Sequence, residues 1–189
     1  MIHWCWKLDL LEKLIELKNP LVFDSSSIFN FGHRGNLESI LIDLKKKFDL
    51  IITNEVIEEI TKNEINRDFY EEFIRKYFLF KKIKLKRESD SIIFNLSEKL
   101  GKGELSVILT ALYTKGTAII DEKLARKFAR QQNIRVIGTL GVLYLYFKKN
   151  KIDEVWFRNV ILNLRNNGFR IPEINNETSI EKYLFDLEK

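Results

Sequence analysis

Cysteine and histidine are scarce in this 189-residue sequence, and their scarcity excludes several classes of site. Cys5 is the single cysteine, and His3 and His33 are the two histidines. A lone cysteine rules out an internal disulfide framework and fits a reducing compartment, so we expect a cytoplasmic protein. Because histidine and cysteine ligands cannot cluster here, we expect neither a zinc site nor a thiol or histidine triad.

Long apolar runs, proline and glycine are scarce as well. No apolar run approaches the roughly 20 residues that cross a bilayer, so we expect no membrane partner. The segment Met1–Trp6 is aromatic and is soon followed by charged residues, and we do not expect it to be a signal peptide. Two prolines and eight glycines argue against long ordered loops.

The composition is that of a chain able to bury a core, with 45% hydrophobic and 31% charged residues. Its length suits one domain with an appendage. We expect a helical appendage at residues 1–19, a core domain at residues 20–150, and closing helices at residues 151–189 that pack on it. The net charge of +5 permits a polyanionic partner without proving one.

Alternating strand and helix patterns predict an α/β fold. Apolar runs predict buried strands ending at Asp24 and Asp121, and shorter strands at Asp49–Thr53 and Ile134–Ile137. Apolar and basic residues alternate over Phe80–Lys86, as in a half-exposed edge strand. Strands that alternate with helices indicate parallel pairing. We therefore expect a central parallel twisted sheet of about four to five strands, flanked by helices in a three-layer α/β/α arrangement.

Helical spacing and helix-start signals place helices between these strands. A helix is expected to start directly after Asp24, followed by an apolar turn at Ile28–Phe31 and a break at Gly32–Gly35. The remaining predicted helices are Trp6–Lys18, Asn36–Phe48, Glu55–Glu64, Arg67–Phe78, Glu88–Leu100, Glu104–Thr114, Glu122–Gln132, Thr139–Lys149, Asp153–Asn167 and Ser179–Leu187.

Asp24 and Asp121 are the first candidates for a functional site. Each ends a buried strand and stands at the start of a helix. In one parallel sheet the carboxyl ends of the strands lie on the same edge, where ligands bind in open α/β sheets. Asp24 taken alone fits a helix cap equally well, because Asp and Ser are good caps.

Glu104 and Glu59 are the other two candidates, because helical spacing places them beside apolar faces. Glu104 precedes Val107 and Ile108 by three and four residues and shares their face. It also fits a first-turn glutamate that compensates the helix dipole. Glu59 flanks the face marked by Val56 and Ile60, with Glu55 as the alternative.

Several carboxylates in one cleft repel each other and raise each other's pKa. Hard divalent cations remove this penalty, and ligands that are all oxygen suit Mg²⁺ or Mn²⁺. Such a site most often handles phosphates, by activating water and neutralising the attacked phosphodiester.

The order and spacing of these residues resemble a PIN domain, a metal-dependent ribonuclease fold. The family's D-x-S and V-x-x-E patterns correspond to Asp24–Ser26 and Val56–Glu59. The segments Gly101–Glu104, Asp121–Arg126 and Val136–Leu143 resemble G-x-G-E, D-[DE]-x-x-A-R and V-x-G-T-x-G-x-L. These three are similar to a prokaryotic branch related to the toxins of toxin–antitoxin pairs. The resemblance covers about residues 20 to 175.

The resemblance implies a role for each matching residue. Asp24, Glu59, Glu104 and Asp121 would hold Mg²⁺ or Mn²⁺ and carry catalysis, and Glu122 would replace or supplement Asp121. Ser26 would orient the carboxylates. For Arg126 we keep three roles open: pairing with an active-site acid, contact with substrate phosphate, and a structural salt bridge.

The function implied is a metal-dependent endoribonuclease that cleaves RNA, with an antitoxin as partner if it acts as a toxin. A homodimer is expected from the same resemblance. The alternatives are an inactive RNA-binding or scaffold module and, third, a phosphatase or DNA-directed nuclease using the same acids. The basic residues of Lys81–Arg87 fit a nucleic-acid contact, although a strand edge guarded by lysines explains them as well.

Overall fold

The computed structural model describes residues 16–62, 66–81, 99–150 and 153–171. The predicted helices at Trp6–Lys18, Glu88–Leu100 and Ser179–Leu187 lie wholly or largely outside these ranges, as do the residues that follow Lys81 in the basic run. The described part falls into two compact units, one formed by Leu17–Thr139 and one that contains the described residues from Leu140 onward. The predicted domain limits at residues 19 and 150 stay predictions.

The first unit is built on five strands. They are β1 (Leu21–Phe23), β2 (Leu50–Ile52), β3 (Leu79–Phe80), β4 (Thr117–Ile119) and β5 (Arg135–Ile137). All four pairings are parallel and the strand order is β3-β2-β1-β4-β5. The parallel α/β sheet that the sequence predicts is therefore confirmed. The predicted edge strand Phe80–Lys86 is described as strand only at its first residue, since β3 begins at Leu79 and ends at Phe80.

Eight α-helices are described along the chain. They are α1 (Ser25–Phe29), α2 (Glu38–Lys45), α3 (Asn54–Thr61), α4 (Arg67–Tyr77), α5 (Lys102–Thr114), α6 (Lys123–Gln131), α7 (Thr139–Asn150) and α8 (Glu154–Asn166). Most agree with the predicted helices to within two or three residues.

The segment after β1 corrects one prediction. The sequence predicts a turn at Ile28–Phe31, but α1 continues into a π-helical segment, Asn30–Arg34. The apolar side chains Ile28 and Phe31 are fully buried, so core packing holds this stretch helical. The break predicted at Gly32–Gly35 is confirmed at Gly32, whose backbone (φ −81°, ψ −124°) departs from helical values.

The core of the first unit explains why β1 lies at the centre of the sheet. Leu21, Val22 and Phe23 have no exposed surface. Strands of a parallel sheet are covered on both faces, which selects continuous apolar runs over alternating ones. The Phe23 ring meets Phe31 and Phe78 edge-on, with ring centroids 5.8 Å and 5.1 Å apart.

The strand order also fixes where a site can form. From β1 the chain adds β2 and β3 on one side and later adds β4 and β5 on the other. The direction of winding therefore reverses between β1 and β4, which are neighbours. In open α/β sheets the crevice outside the carboxyl ends at such a reversal is the usual ligand site. Asp24 follows β1 directly, and Asp121 lies two residues beyond β4.

In the second unit, α8 packs against α7 through aromatic rings. The rings of Phe147 and Phe157 are stacked with centroids 4.7 Å apart, and Tyr144 lies 6.4 Å from Phe157. Among the described residues, no helix is long and apolar enough to cross a membrane.

Candidate active site

Asp24 is a buried carboxylate with one satisfied oxygen and one unsatisfied oxygen. Its residue is 3% exposed, and its backbone N–H extends the β1–β4 pairing by donating to the Ile119 carbonyl. Oδ2 accepts a hydrogen bond from Ser26 Oγ at 2.8 Å, as expected for Ser26. Oδ1 is buried with no donor from the described part of the chain. Although Asp24 precedes α1, its side chain makes no capping hydrogen bond, so capping does not explain the residue.

Burial has a direct electrostatic consequence for Asp24. The pKa of this carboxyl is raised to about 6, and burial is the largest cause. Hydrogen bonds from the Ser26 side chain and the Ser25 backbone lower the pKa, whereas the negative charges of Glu104 and Glu59 raise it. An ionised carboxylate in this position needs a positive partner or a cation to offset the cost of burial. The residue therefore has the chemistry of a cation ligand.

Glu59 lies next to the start of α5, although it belongs to α3. Its Oε1 accepts from the backbone N–H of Gly103, and its Oε2 accepts from Ser25 Oγ, both at 3.0 Å. Glu55, the alternative candidate on the same helix, is exposed. Of the two, Glu59 is the one whose negative charge raises the pKa of both Asp24 and Glu104.

Gly103 is the residue that lets Glu59 approach. A Cβ at this position would lie 2.3 Å from Glu59 Oε2 and 2.6 Å from Oε1, far inside van der Waals contact. A glycine at the second position of α5 therefore has a packing reason, because only a residue without a side chain leaves room for the carboxylate.

Glu104 is half-buried in the first turn of α5. Its Oε2 accepts from the backbone N–H of Gly101 at 2.9 Å, which is the contact expected of a first-turn glutamate. Burial raises the pKa of Glu104, the Gly101 hydrogen bond lowers it, and the charges of Glu122 and Glu59 raise it. Glu104 thus caps its helix and also belongs to a group of like charges.

Two hydroxyls hold α3 and α5 together beside these glutamates. Ser106 Oγ donates to the Gly103 carbonyl at 2.7 Å and lies 2.7 Å from Thr53 Oγ1. Thr53 in turn caps α3 by accepting from the Val56 N–H. Because the Ser106 proton is used on Gly103, the Thr53 hydroxyl must donate to Ser106.

Asp121 has a different environment from the other three predicted acids. Its Oδ2 accepts from Ser27 Oγ at 3.2 Å, Asn30 Nδ2 at 2.9 Å and Thr139 Oγ1 at 2.6 Å. Its Oδ1 accepts from the Thr139 N–H at 2.7 Å. Ser27 Oγ has a single proton, which it shares between this carboxylate and the Ile119 carbonyl oxygen 3.1 Å away. These contacts join the Asp121 carboxylate to the helical stretch after β1 and to the first residue of α7.

The charge of Glu122, by contrast, acts on Glu104. Glu122 caps α6 by accepting from the Leu124 N–H at 3.2 Å, its side chain is exposed, and its charge is one of those that raise the pKa of Glu104. The charges of Asp24, Glu59, Glu104 and Glu122 are thus linked in one group, which we call the acid cluster.

The side chain of Arg126 contacts the backbone of the two residues that follow β4. It is 6% exposed, and its Nη1 donates to the carbonyls of Ile120 (3.2 Å) and Asp121. Gly138 lies against the same group, since a Cβ there would be 3.0 Å from Asp121 Oδ1 and 3.5 Å from Arg126 Nη1. The bonds that Arg126 makes here are to main-chain oxygens.

Sequence reasoning missed several side chains that hold the acids. Ser25, Ser27, Asn30 and Thr139 all donate to a predicted site carboxylate. The run of hydroxyl residues directly after Asp24 is the signal that could have found Ser25 and Ser27. Asn30 and Thr139 lie 91 and 18 residues from Asp121 in sequence, and no local pattern identifies them.

The donor set fits a hard divalent cation by its chemistry. It offers only oxygen ligands, includes the partnerless Asp24 Oδ1, and gathers like charges that a cation would relieve. Within the described ranges, no three Asp, Glu, His or Cys side chains form a group that could hold a metal ion. A cation would therefore have to draw the acids of the cluster closer together.

Fold and site together define an α/β domain with an acidic crevice at the carboxyl edge of its sheet. A family model described as a PIN domain (DUF3368) matches residues 20–183. The chain therefore belongs to the PIN-domain family, whose members are generally nucleases and usually bind divalent metal ions. No curated protein sequence matches the chain.

Proposed function

We propose that this PIN-domain protein is an endoribonuclease that hydrolyses RNA phosphodiester bonds with Mg²⁺ or Mn²⁺. The observation that carries the proposal is Asp24, a buried carboxylate whose Oδ1 has no described donor and whose neighbours are Glu59 and Glu104. A structural acid at such a place would be expected to have its oxygens satisfied, whereas a cation ligand keeps one available.

Within this proposal each acid has a support that fixes its carboxylate. Ser26 holds Oδ2 of Asp24 and so directs Oδ1 away from it. Ser25 and the Gly103 N–H hold the two oxygens of Glu59, and the Gly101 N–H holds Glu104. A bound Mg²⁺ or Mn²⁺ would supply an acidified water and neutralise charge on the attacked phosphodiester.

Basic residues beside the cluster support a polyanionic substrate. Lys102 precedes Gly103 and Lys123 follows Glu122, and both are exposed. Lysines placed next to a group of acids can bind the phosphates that flank the attacked bond, while a cation offsets the acids themselves. The overall charge of +5 has the same sign.

The test is cleavage of single-stranded RNA with Mn²⁺ by the wild type, Asp24→Asn and Glu58→Gln. Glu58 lies on α3 with Glu59 but is exposed, so it serves as the matched control. We expect cleavage by the wild type and by Glu58→Gln, and its loss in Asp24→Asn. Equal cleavage by all three would remove the proposed role of Asp24. Parallel assays with DNA and a phosphomonoester test the phosphatase and DNA-directed alternatives.

A second candidate is an RNA-binding PIN module without catalysis, and the environment of Asp121 favours it. Asp121, which matches one of the family's acids, accepts hydrogen bonds from within the chain at both carboxylate oxygens. RNA binding without cleavage, together with no Mn²⁺ binding at millimolar concentration, would support this alternative over the first.

An antitoxin partner and a homodimer are part of the main proposal. Both rest on the resemblance to the toxin branch, and an antitoxin would act by covering the acid cluster. Light scattering on the purified protein measures its mass in solution and so tests whether it forms a homodimer. Inhibition of cleavage by the product of a neighbouring gene, and its relief by RNA competition, would identify an antitoxin.

A further inference from the structure

We infer that single-stranded RNA leaves the acidic crevice over the exposed side of α6. This surface, which we call the basic face of α6, consists of Lys123, Leu124, Lys127 and Phe128, with Lys99 lying over the Phe128 ring. The inference rests on the proposed function for the identity of its ligand, and it adds a path for that ligand beyond the attacked bond. The juxtaposition that carries it is a helix with exposed lysines and no acidic residue that begins at the carboxyl edge of the sheet.

The strand topology fixes where the basic face begins and in which direction it runs. β4 ends at Ile119 and α6 begins at Lys123, so Lys123 lies at the carboxyl edge, beside the crevice between β1 and β4. Because β4 and β5 are parallel, α6 must return from the carboxyl edge toward the amino edge. Lys127 lies one helical turn, about 5.4 Å, beyond Lys123. The face therefore leads away from the crevice along the side of the domain.

Helical spacing separates the basic face from the side of α6 that packs on the domain. The buried side chains lie together on that packed side, and they are Ala125, Arg126 and Ala129. Lys123 and Lys127, four residues apart, are both exposed. Among the described residues, no ion pair involves either lysine. Their charges are therefore available to a ligand from outside the chain.

Apolar surface lies among these cations. Leu124 is 44% exposed, and Phe128, one turn further along the same helix, is half-buried. Lys99, which precedes α5, places its Nζ 5.5 Å from the centroid of the Phe128 ring, so a third cation reaches the face from a separate segment. Surfaces that bind single strands combine cations for the phosphates with aromatic side chains for the bases. A base packed on Leu124 and the edge of Phe128 would cover apolar surface that is now exposed.

The helix on the other side of the crevice has the opposite charge. α3 follows β2, on the far side of β1 from β4, and its eight residues include three glutamates and no basic residue. The nine residues of α6 include four basic residues and no acidic one. α5, whose start carries Gly103 and Glu104, packs against both helices. An RNA strand is therefore repelled along α3 and attracted along α6, which favours one direction out of the crevice.

Charge alone would also suit an acidic segment of a partner protein, but two observations favour RNA. The face begins at the crevice where the proposed function puts the attacked phosphodiester, so the next phosphates of the same strand are the nearest polyanion. The exposed Leu124 beside the lysines gives a base an apolar contact as well as a charged one for its phosphate.

The test measures binding of a fluorescent oligouridylate of about 12 nucleotides to the full chain in EDTA, where metal-dependent cleavage cannot occur. We expect Lys127→Gln to weaken binding and to reduce the slope of log affinity against log salt by about 0.7, the value for one phosphate contact. Leu124→Gln should weaken binding severalfold at an unchanged slope, because it removes apolar contact and no charge. Lys115→Gln is the matched control, since Lys115 is exposed and precedes β4 at the amino edge of the sheet.

Photo-crosslinking locates the strand on the protein. The same RNA with thiouridine in place of uridine should crosslink to the peptide that contains Lys123–Gln131. It should not crosslink to the peptide that contains Asn54–Thr61. The reverse pattern would place the strand on α3 and overturn the inference.

Three results separate this inference from the proposed function. Wild-type affinity and salt slope in Lys127→Gln, or equal losses in Lys115→Gln, would overturn the inference, and RNA cleavage with Mn²⁺ by the same protein would leave the proposed function standing. Losses in the α6 variants that occur with oligoglutamate and not with RNA would also overturn it, in favour of an acidic protein segment. The expected losses in a chain that cleaves no RNA would support the surface and remove the endoribonuclease.

The two substituted side chains are exposed, so both variants should keep the melting temperature of the wild type. Should Leu124→Gln fail to fold, Lys127→Gln and the crosslinked peptide still decide the question. A wild type that binds no oligouridylate would contradict both the inference and the proposed function.

Discussion

The backbone N–H of Gly103 donates to Oε1 of Glu59 across 3.0 Å, which joins the start of one helix to the last turn of another. Helix N-termini attract negative charge through their unpaired N–H groups and their dipole. The bond therefore holds an acid of the cluster in place beside the inward face of α3. It also makes a glycine necessary at residue 103.

Gly103→Ala should displace the Glu59 carboxylate. The new Cβ would lie 2.3 Å from Oε2, and the end of a flexible side chain is what must move. We therefore expect a small loss of stability, about 1 kcal/mol or less, because the clash can be relieved without moving backbone. Cleavage and Mn²⁺ affinity should fall by about tenfold or more, since an acid of the cluster has lost its support.

Gly101→Ala is the matched control for this prediction. Its Cβ would meet Glu104 Oε2 at 3.6 Å and Glu59 Oε1 at 4.0 Å, which are ordinary contacts. We expect near-wild-type cleavage and Mn²⁺ affinity. Equal losses in the two variants would show that helix flexibility, and not the carboxylate position, governs activity.

The metal-free protein should lose stability as the pH rises from about 4 to 6, because of Asp24. The pKa of Asp24 is raised from 3.8 to about 6 in the folded chain, so the folded state holds a proton that the unfolded chain has released. The stability that Asp24 contributes is therefore greatest below its pKa in the unfolded chain. It is lost as the pH rises through its pKa in the folded chain. The loss is at most about 3 kcal/mol, and smaller where solvent reaches the group.

Asp24→Asn removes this titration. Chemical unfolding in EDTA gives the free energy of unfolding of the wild type and of the variant from pH 4 to 8. The wild-type value minus the variant value should fall between about pH 4 and 6 and stay constant at higher pH. A difference that stays constant with pH would show that Asp24 is not held protonated by burial.

Lys102 should contribute to RNA affinity through phosphate contact. Lys102→Gln should weaken RNA binding and reduce the slope of log affinity against log salt by about 0.7, the value for one contact to a single strand. Lys115, just past the other end of α5 and also exposed, provides Lys115→Gln as the control. A similar slope change in both variants would mean that binding responds to net charge and not to position.

Gly116→Ala should destabilise the fold without a specific effect on the site. Its Cβ would lie 2.3 Å from the Pro20 carbonyl oxygen and 2.8 Å from Pro20 Cδ. The oxygen belongs to the backbone that leads into β1, so relief requires strand movement. We expect a loss of roughly 1–3 kcal/mol in the free energy of unfolding, or more. An unchanged unfolding midpoint in urea would contradict this.

The central elements could be predicted because their signals are local. Leu21–Phe23 and Thr117–Ile119 are apolar runs that end near an acid, and their parallel pairing follows from the helices between them. Helical spacing favours Glu59 over Glu55, and the charge of Glu59 is one of those that raise the pKa of Asp24. The same local strand and helix patterns predict that four acids far apart in the sequence lie at one edge of the sheet.

What the sequence could not give was the set of partners around each carboxylate. Asp121 and Asp24 look alike as strand ends, yet Asp121 accepts hydrogen bonds at both carboxylate oxygens and Asp24 keeps a buried oxygen without a described donor. The difference is made by Asn30 and Thr139, which reach Asp121 only through the tertiary fold. The helical path from Ile28 to Phe31 was missed because burial, not local propensity, decides it.

The most direct measurement is anomalous diffraction from crystals of the wild type grown with Mn²⁺. The account predicts an anomalous peak within coordination distance of Asp24 Oδ1, with oxygens of the acid cluster completing the ligand set and Asp121 still bound to Thr139. A peak that lies elsewhere, or none near Asp24 at a Mn²⁺ concentration that supports RNA cleavage, would contradict it.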